Sequence, residues 1–225
     1  MKRYLALIAI FISLAVSASA QPAKTVAILG DSYSTFYGFI PDDQPSWYYP
    51  QIEAERSDVN DVRQTWWWQL IKERGFKLGV NDSYSGATVS YYGYNDEDYT
   101  DRSFITRATR LGNPDIILVF GAINDSWTGV RMGEYRYENI TRADLFTYRP
   151  ALAKLFQTLQ DHYPNVEIYF ILSDELREEL DESTITICKH YDIPCICLEN
   201  IEKRAGHPTV KGMASIASQV SIYIK

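Results

Sequence analysis

Residues whose types fit acyl-transfer chemistry follow apolar runs of this sequence. The run "VAIL" is followed at once by "GDS", which contains Ser32, and "ILVF" is followed by "GAIND", which contains Asn124. Near the end of the chain, "GHP" contains His207. A hydroxyl, an imidazole and amide N–H groups are the nucleophile, the base and the oxyanion donors that acyl transfer requires. The question is whether one fold brings them together.

Short apolar runs alternate with amphipathic stretches along the chain. Continuously apolar strands separated by helices predict a parallel sheet with helices on both faces, an α/β fold of three layers. We count five strands and find no internal repeat. The predicted strands are 24–30, 77–82, 114–121, 166–173 and 193–200, and the predicted helices are 64–75, 101–112, 142–164, 173–192 and 207–224.

Three longer insertions follow the first three predicted strands, at 36–63, 87–100 and 126–139. In a doubly wound sheet, ligands bind outside the carboxyl ends of the strands, where these insertions emerge. All three are rich in tyrosine, tryptophan and acidic residues. Long loops of this kind in a compact domain predict a functional edge.

Four short blocks resemble those of the SGNH, or GDSL-type, hydrolases. They are Ser32 in "GDS" after the first strand, Gly86 after the second, Asn124 in "GAIND" after the third, and His207 before the last helix. The blocks occur in the family's order between residues 26 and about 215. The resemblance implies a flavodoxin-like SGNH hydrolase fold with about five parallel strands. It also implies a serine ester hydrolase that needs no metal or other cofactor.

The resemblance assigns a role to each block. Ser32 is the expected nucleophile and His207 the expected general base. The expected oxyanion hole comprises the backbone N–H groups of Ser32 and Gly86 and the side-chain amide of Asn124. Each of these groups is expected at the same edge of the sheet.

The other hydroxyls and histidines are better explained structurally. Ser34 and Thr35 lie deeper in the turn after Ser32, where they would cap or support it. His162 and His190 both lie in the last turn of a predicted helix, where a histidine suits the helix dipole. Asp31 is expected to brace the turn.

Two positions depart from the family pattern. Ala122 stands where the family has the glycine of its asparagine block. Arg204 stands three residues before His207, where the family has an aspartate that orients the imidazole. Two alternatives follow: a carbonyl or water orients His207 in a Ser–His dyad, or Glu202 or Glu199 is the third member of an atypical triad.

The first twenty residues have the pattern of a secretory signal peptide, with a basic start, an apolar run and an A-x-A end. Cleavage after Ala20 would leave a single SGNH-like domain over 21–225, secreted or periplasmic and without stable membrane insertion; an N-terminal anchor helix is the alternative. The net charge of −7 becomes −9 without the leader and its two basic residues. Such acidity disfavours binding to nucleic acid or anionic membranes.

The three cysteines, Cys188, Cys195 and Cys197, lie close together in the sequence. Their spacing lacks the C-x₂-C pattern of a zinc site. The alternatives are one local disulfide from Cys188 to Cys195 or Cys197, or three small apolar thiols.

The aromatic insertions favour a polar, ring-shaped ligand, because aromatic faces stack on sugar rings and acids bond sugar hydroxyls. We therefore expect a small-molecule or polysaccharide acyl ester as substrate, and removal of acetyl or other short acyl groups from carbohydrate. The alternatives are a lipase or thioesterase acting on other acyl esters, and a non-catalytic glycan-binding protein. A flavodoxin-type redox protein is disfavoured, since phosphate-cradling glycines are missing. The candidate substrate contacts are Trp47, Tyr48, Tyr91, Asp125 and Trp127, with Tyr49, Tyr92 and Tyr94 as further aromatic candidates.

Overall fold

The computed structural model describes residues 22–48 and 55–224. The strands of its main sheet are β1 (Thr25–Gly30), β2 (Lys77–Ser83), β3 (Ile116–Gly121), β4 (Glu167–Leu172) and β5 (Cys195–Cys197). The helices are α1 (Trp66–Arg74), α2 (Phe104–Arg107), α3 (Ile123–Thr128), α4 (Tyr148–His162), α5 (Glu178–His190) and α6 (Val210–Ser221). The predicted signal peptide and Tyr49 lie outside the described residues.

The sheet has the strand order β2-β1-β3-β4-β5, and every neighbouring pair is parallel. Helices α1 and α6 cover one face, and α2, α4 and α5 cover the other. This architecture confirms the predicted three-layer α/β/α fold of SGNH hydrolases. Among the described residues, no helix is long and apolar enough to cross a membrane.

Strand β1 shows why its sequence is apolar at successive positions. Side chains alternate between the faces of a sheet. Ala27 and Leu29 pack beneath α4 and α5, whereas Val26 and Ile28 pack beneath α1 and α6. Both faces of the strand are therefore in a hydrophobic core, and its carboxyl end is fixed where the polar residues follow.

Helix α1 has clear sequence signals at both ends. The Thr65 hydroxyl caps it by accepting the Trp68 N–H, and Gly75 ends it with φ 68°, in the left-handed region that favours glycine. Trp66 and Trp67 are fully buried. Two of the three consecutive tryptophans, 66–68, therefore lie in the hydrophobic core.

Several elements are shorter than predicted. The predicted helix 101–112 is helical only in α2, and the predicted strand 193–200 only pairs over β5. The predicted helix 173–192 begins five residues late, at Glu178. The amphipathic pattern continued through these loops because their apolar residues also pack on the core.

All three cysteines are free thiols, with the Cys195 and Cys197 sulfurs 4.0 Å apart.

A short hairpin replaces the predicted start of the last helix. Strands β6 (Lys203–Arg204) and β7 (His207–Pro208) pair antiparallel. Ala205 and Gly206 form the two-residue turn with φ values of 47° and 74°, as a type I′ turn requires. The closing helix begins only at Val210, capped by Thr209. His207 therefore lies in a hairpin rather than at a helix start.

Candidate active site

The neighbouring strands β2, β1 and β3 end level with one another at the edge where the polar residues follow. Gly30 of β1 is in register with Ser83 of β2 and with Phe120 of β3. Ser32 follows Gly30 by two residues, in a short 3-10 turn. Gly86 follows Ser83 by three, and Asn124 follows Phe120 by four. The registers place all three at one sheet edge.

Ser32 and His207 meet there although 175 positions separate them. The Ser32 Oγ lies 2.9 Å from the His207 Nε2. Both side chains are buried, with exposed fractions of 2% and 5%. At this distance a neutral imidazole accepts the serine hydroxyl proton, which is the contact a general base needs.

The other imidazole nitrogen contacts the backbone. The His207 Nδ1 lies 3.0 Å from the carbonyl oxygen of Ala205. Because a carbonyl can only accept, this bond places the proton on Nδ1 and leaves the Nε2 lone pair for Ser32. The geometry is that of a dyad oriented by a carbonyl.

Neither glutamate proposed as a third triad member is bonded to His207. The Glu202 carboxylate accepts from the Thr209 hydroxyl at 2.8 Å and pairs with Lys211 at 3.2 Å. Glu199 contacts Gln219 through its backbone. Of the two alternatives that the sequence left open, these contacts favour the dyad.

The buried imidazole is held in its neutral form. Burial lowers the pKa of His207 to about 4, the Ala205 carbonyl opposes this shift, and the positive charge of Arg56 adds to it. The protonated ring is disfavoured because it loses hydration without gaining a carboxylate partner. His207 is therefore an unprotonated base over most of the pH range.

Three N–H donors are available around Ser32. The backbone N–H groups of Ser32 and Gly86 have no acceptor among the described residues. Gly86 has φ 85°, and nothing lies within 4 Å of where its Cβ would be. The Asn124 amide uses one proton on the Ala87 carbonyl at 2.9 Å, which leaves its second proton free. These groups can stabilise an oxyanion.

The orientation of the Asn124 amide is fixed by Tyr94. The Tyr94 hydroxyl donates to the Asn124 Oδ1 at 2.8 Å. Since the oxygen is occupied from that side, the amide nitrogen has to point toward Ala87 and the site. Tyr94, considered from the sequence as a sugar-stacking ring, therefore acts on the asparagine instead.

A buried guanidinium lies beneath the nucleophile turn. Arg107 is 1% exposed and donates to the carbonyl oxygens of Gly30 and Asp82 and to that of Arg102. The Asp31 Oδ1 accepts the Tyr33 N–H at 3.0 Å, which braces the turn as expected. Burial raises the pKa of Asp31 to about 7, an effect that the charge of Arg107 reduces.

Asp125 holds a loop rather than facing a ligand, which corrects its prediction as a substrate contact. It is fully buried, and its carboxylate accepts the N–H groups of Val89 and Ser90 at 2.7 and 3.0 Å and the Ser90 hydroxyl at 2.8 Å. This network fixes the loop after Gly86. Asp125 therefore supports the donor arrangement from behind.

Ala122 explains the glycine of the family pattern. Its φ is 76°, in the left-handed region where a Cβ costs about 1 kcal/mol. The residue precedes α3, a helix that was not predicted. The strained turn is retained because α3 has to start there to present Asn124.

The predicted aromatic contacts separate into two groups. Tyr48 is fully buried with its hydroxyl on the Pro208 carbonyl, which corrects its prediction as a ligand contact. Tyr91 is half-buried and packs edge-on against Phe146, and its part as a ligand contact stays a prediction. Trp127 is 45% exposed, with its ring centroid 5.8 Å from that of His207. Trp47 stacks on His207. Tyr48 also meets the imidazole edge-on, with ring centroids 6.4 Å apart, so three of the four border His207.

Side chains from distant parts of the chain hold the hairpin that carries His207. The Tyr33 hydroxyl donates to the Gly206 carbonyl at 2.6 Å. Lys203 pairs with Asp174, and both are at least 86% buried by side-chain area. Sequence reasoning missed these contacts because backbone carbonyls are their acceptors or because the partners lie far apart. The turn at Ala205 and Gly206, where both φ angles are positive, was indicated in the sequence only by the glycine of "AGH".

The profile of the GDSL-like lipase/acylhydrolase family matches residues 24–224. Two crystal structures, described as GDSL-like lipases, are similar. The one from Bacteroides ovatus is 52% identical, with a TM-score of 0.88, covering 90% of this chain and 98% of that chain. The one from Bacteroides uniformis is 50% identical, with a TM-score of 0.88, covering 91% and 96%.

A family two carbohydrate esterase from Clostridium thermocellum, solved with cellohexaose, is 14% identical. Its TM-score is 0.64, and the match covers 92% of this chain and 66% of that chain, so the likeness concerns the fold alone. No curated protein matches the chain. The family profile and the two Bacteroides structures place this chain in the GDSL-like lipase/acylhydrolase family.

Proposed function

We propose that this chain is a secreted serine esterase that removes acetyl or other short acyl groups from carbohydrate. The contact of 2.9 Å between Ser32 Oγ and His207 Nε2 carries the proposal. The Nδ1 bond to the Ala205 carbonyl sets the tautomer in which this contact is productive. Membership of the family supports ester hydrolysis as the reaction class.

The reaction proceeds through an acyl-enzyme. His207 Nε2 takes the Ser32 proton as Oγ attacks the ester carbonyl carbon, and the tetrahedral oxyanion forms. The imidazolium then gives that proton to the alcohol oxygen as the C–O bond breaks. Water repeats the sequence on the acyl-serine, with His207 again accepting and returning one proton.

The three N–H donors stabilise the oxyanion in this scheme. They come from Ser32, Gly86 and Asn124; Ser32 and Asn124 are buried, and the Ala87 carbonyl holds the Asn124 amide at 2.9 Å. Donors that are fixed before the reaction need no reorganisation as charge develops. The proposed hole therefore depends on the packing beneath it.

The surroundings of His207 favour a hydroxylated alcohol part. A cavity of about 120 Å³ borders Tyr33 and Gly206, and its walls include the exposed ring of Trp127 and the carboxylates of Asp174 and Glu175. His207 hands its proton to the leaving alcohol, so the alcohol lies on this side. Carboxylates and an indole face suit sugar hydroxyls and a sugar ring.

A lipase acting on longer acyl chains is the second candidate. The naming of the two Bacteroides structures as GDSL-like lipases favours it. A series of p-nitrophenyl esters from acetyl to palmitoyl, together with acetylated xylan, separates the two functions. Acetate release from xylan and a preference for acetyl esters support the proposal; hydrolysis of long-chain esters alone contradicts it.

Ser32→Ala tests the nucleophile. We expect turnover to fall by roughly 10⁴-fold or more, and labelling by a fluorophosphonate probe to disappear. Ser34→Ala is the matched control: its hydroxyl accepts from the Trp66 indole at 3.2 Å, so the variant should be less stable but still labelled. A wild-type protein that binds xylan but is neither labelled nor active would be a glycan-binding protein.

Secretion is tested separately. N-terminal sequencing of the protein recovered outside the cytoplasm should begin at Gln21, the residue after the expected cleavage site. A chain that keeps residues 1–20 in the membrane fraction would instead support the anchor helix.

A further inference from the structure

A flat aromatic stack lies on His207. The rings of Trp47 and His207 are 3.5 Å apart between centroids, with planes inclined by only 6°. The rings of Tyr33, Tyr48 and Trp127 meet the imidazole at inclinations of 58–81° and centroid distances of 5.4–6.4 Å. Of the ring contacts in the described residues, the Trp47 stack alone defines the plane of the imidazole.

Trp47 is tied to the turn that carries the nucleophile. Its backbone N–H donates to the Thr35 hydroxyl at 2.9 Å, and that hydroxyl donates to the Ser32 carbonyl at 3.0 Å. The Arg56 guanidinium lies 4.7 Å from the centroid of the Trp47 ring. A single threonine therefore couples Ser32 to the ring that covers His207.

Two hydrogen bonds do not fix the plane of an imidazole. The bonds of Nδ1 to the Ala205 carbonyl and of Nε2 to the Ser32 hydroxyl set the directions of the two nitrogens, but the ring can still tilt about the line that joins them. A parallel ring at van der Waals distance removes this rotation, since tilting would lose the stacking contact. The bonds and the stack together define where Nε2 points.

The charges around the ring act differently from those of a triad. No carboxylate among the described residues bonds to the imidazole, and the one charge that acts on it from Trp47's side is the cationic Arg56. The titratable or charged side chains that face His207 or its hairpin are Tyr33, Tyr48, Arg56, Asp174, Glu175, Lys203 and Arg204. Lys203 neutralises Asp174 and contacts Glu175, so these acids do not compensate an imidazolium.

We propose that Trp47 is a positioning residue for His207, taking over the orienting part of the missing carboxylate, and that Arg56 on the Trp47 ring keeps the base unprotonated in acid. The proposal rests on the proposed function, because it assigns these residues to the same dyad. In this proposal Trp47 orients the base, whereas the sequence predicted that its ring contacts a sugar.

The first test uses p-nitrophenyl acetate, which has no sugar part. We expect Trp47→Leu to lower kcat by about 10–100-fold with KM within about twofold, because a misdirected Nε2 slows proton transfer. Trp47→Phe, which keeps a flat ring, should recover most of the loss. Trp68→Leu removes a half-buried tryptophan of α1 that has no ring contact with His207, and it should change neither constant. A loss seen only with acetylated xylan, or only in KM, would overturn the positioning role.

The second test follows the His207 ring resonances by NMR across pH 3–8. Burial and Arg56 both lower the pKa of His207 to about 4 in the wild type. Trp47→Leu and Arg56→Gln should each move the midpoint upward, and the acid limb of kcat/KM should move with it. Lys72→Gln is the matched control, since Lys72 lies 5.0 Å from the Trp68 ring, away from the site.

The NMR titration does not depend on turnover, so it separates the two proposals. In the Ser32→Ala background it still reports the environment of His207. Unchanged midpoints in both variants would overturn the stack even in an active esterase. Shifted midpoints in a chain without esterase activity would support the stack and contradict the proposed function. Circular dichroism of each variant identifies any that fails to fold. If Trp47→Leu does not fold, the kinetics and the His207 titration are measured on Trp47→Phe instead.

Discussion

The nucleophile side of the site and the base side are supported in different ways. Ser32, Gly86 and Asn124 follow β1, β2 and β3, which are neighbours in the sheet, and the buried charges of Arg107 and Asp125 fix their loops from below. His207 lies on the short hairpin of β6 and β7, which is separate from the main sheet. Tyr33 and Tyr48 hold this hairpin through its carbonyl oxygens. The first side is part of the sheet, whereas the second is docked onto it.

The difference teaches where each side is sensitive. On the nucleophile side, removing one buried polar group leaves its partners without hydrogen bonds, which is costly. On the base side, the tyrosine hydroxyls, the Trp47 stack and the Lys203–Asp174 pair share the task, and none of them is an acidic side chain bonded to the imidazole. Side-chain substitutions should therefore have large effects at the first side and graded effects at the second.

Apart from loss of the nucleophile itself, the largest effect is expected for Asn124→Ala on the nucleophile side. Loss of one oxyanion donor should lower kcat about 10²–10³-fold with little change in KM, since the donor acts on the charge that develops during reaction. Steady-state kinetics with p-nitrophenyl acetate measures it. Asn139→Ala, at a surface turn after α3, is the control. A change below about threefold would remove Asn124 from the oxyanion hole.

The next largest effect is expected for Asp31→Asn, and it is an effect on the free energy of unfolding. The folded state binds more protons than the unfolded state between pH 4 and 7, because burial raises the pKa of Asp31 to about 7 from 3.8. Its contribution to stability is therefore present below pH 4 and lost as pH rises through 7. Asp31→Asn removes this titration.

Relative to the wild type, Asp31→Asn should gain stability between pH 4 and 8, on the order of 3 kcal/mol. Urea unfolding of both proteins at several pH values measures the difference. A constant difference across that range would mean that the carboxyl titrates as it does in water.

A smaller effect is expected for Tyr94→Phe. The variant removes the hydroxyl that donates to Asn124 Oδ1 but keeps the Ala87 contact of the amide. Loss of one hydrogen bond worth about 1 kcal/mol should lower kcat about fivefold. Tyr92→Phe is the control, because its hydroxyl bonds Asp96 at the surface. Equal effects in both variants would show that Asn124 is oriented without Tyr94.

The smallest effect is expected for the glutamates beside the base. Glu202→Ala and Glu199→Ala should leave kcat within about twofold, since exposed substitutions away from the site change free energies by only about 0.5 kcal/mol. A loss of a hundredfold in either variant would restore an atypical triad and contradict the comparison drawn between the two sides.

The nucleophile side could be predicted from the sequence because it depends on local signals. Continuous apolar runs mark strands buried on both faces, and the residues that follow parallel strands have to share an edge. The positions of Ser32, Gly86 and Asn124 follow from that rule and from register. Asp125 was interpreted less well, since burial of a polar residue after a strand has no local signal.

The base side could be predicted only in part. The sequence singled out His207 and left a carbonyl, a water or a glutamate as the group that orients it, but it could not identify the Ala205 carbonyl, because every residue has a carbonyl. Pro208 after His207 looked like a helix start, while the turn at Ala205 and Gly206 made a hairpin instead. The stack with Trp47 joins residues 160 positions apart, which no pattern along one segment can indicate.

The Ala205 carbonyl has a consequence for how this enzyme can evolve. An orienting aspartate can be lost by a single base change, but every amino acid supplies the same carbonyl oxygen. Position 204 is then released from the catalytic requirement, and it can drift or adapt to new ligands. The vulnerable feature is the path of the chain: substitutions that disfavour the left-handed turn at Ala205 and Gly206, such as valine or proline, should be the ones depleted in a saturation library selected for activity.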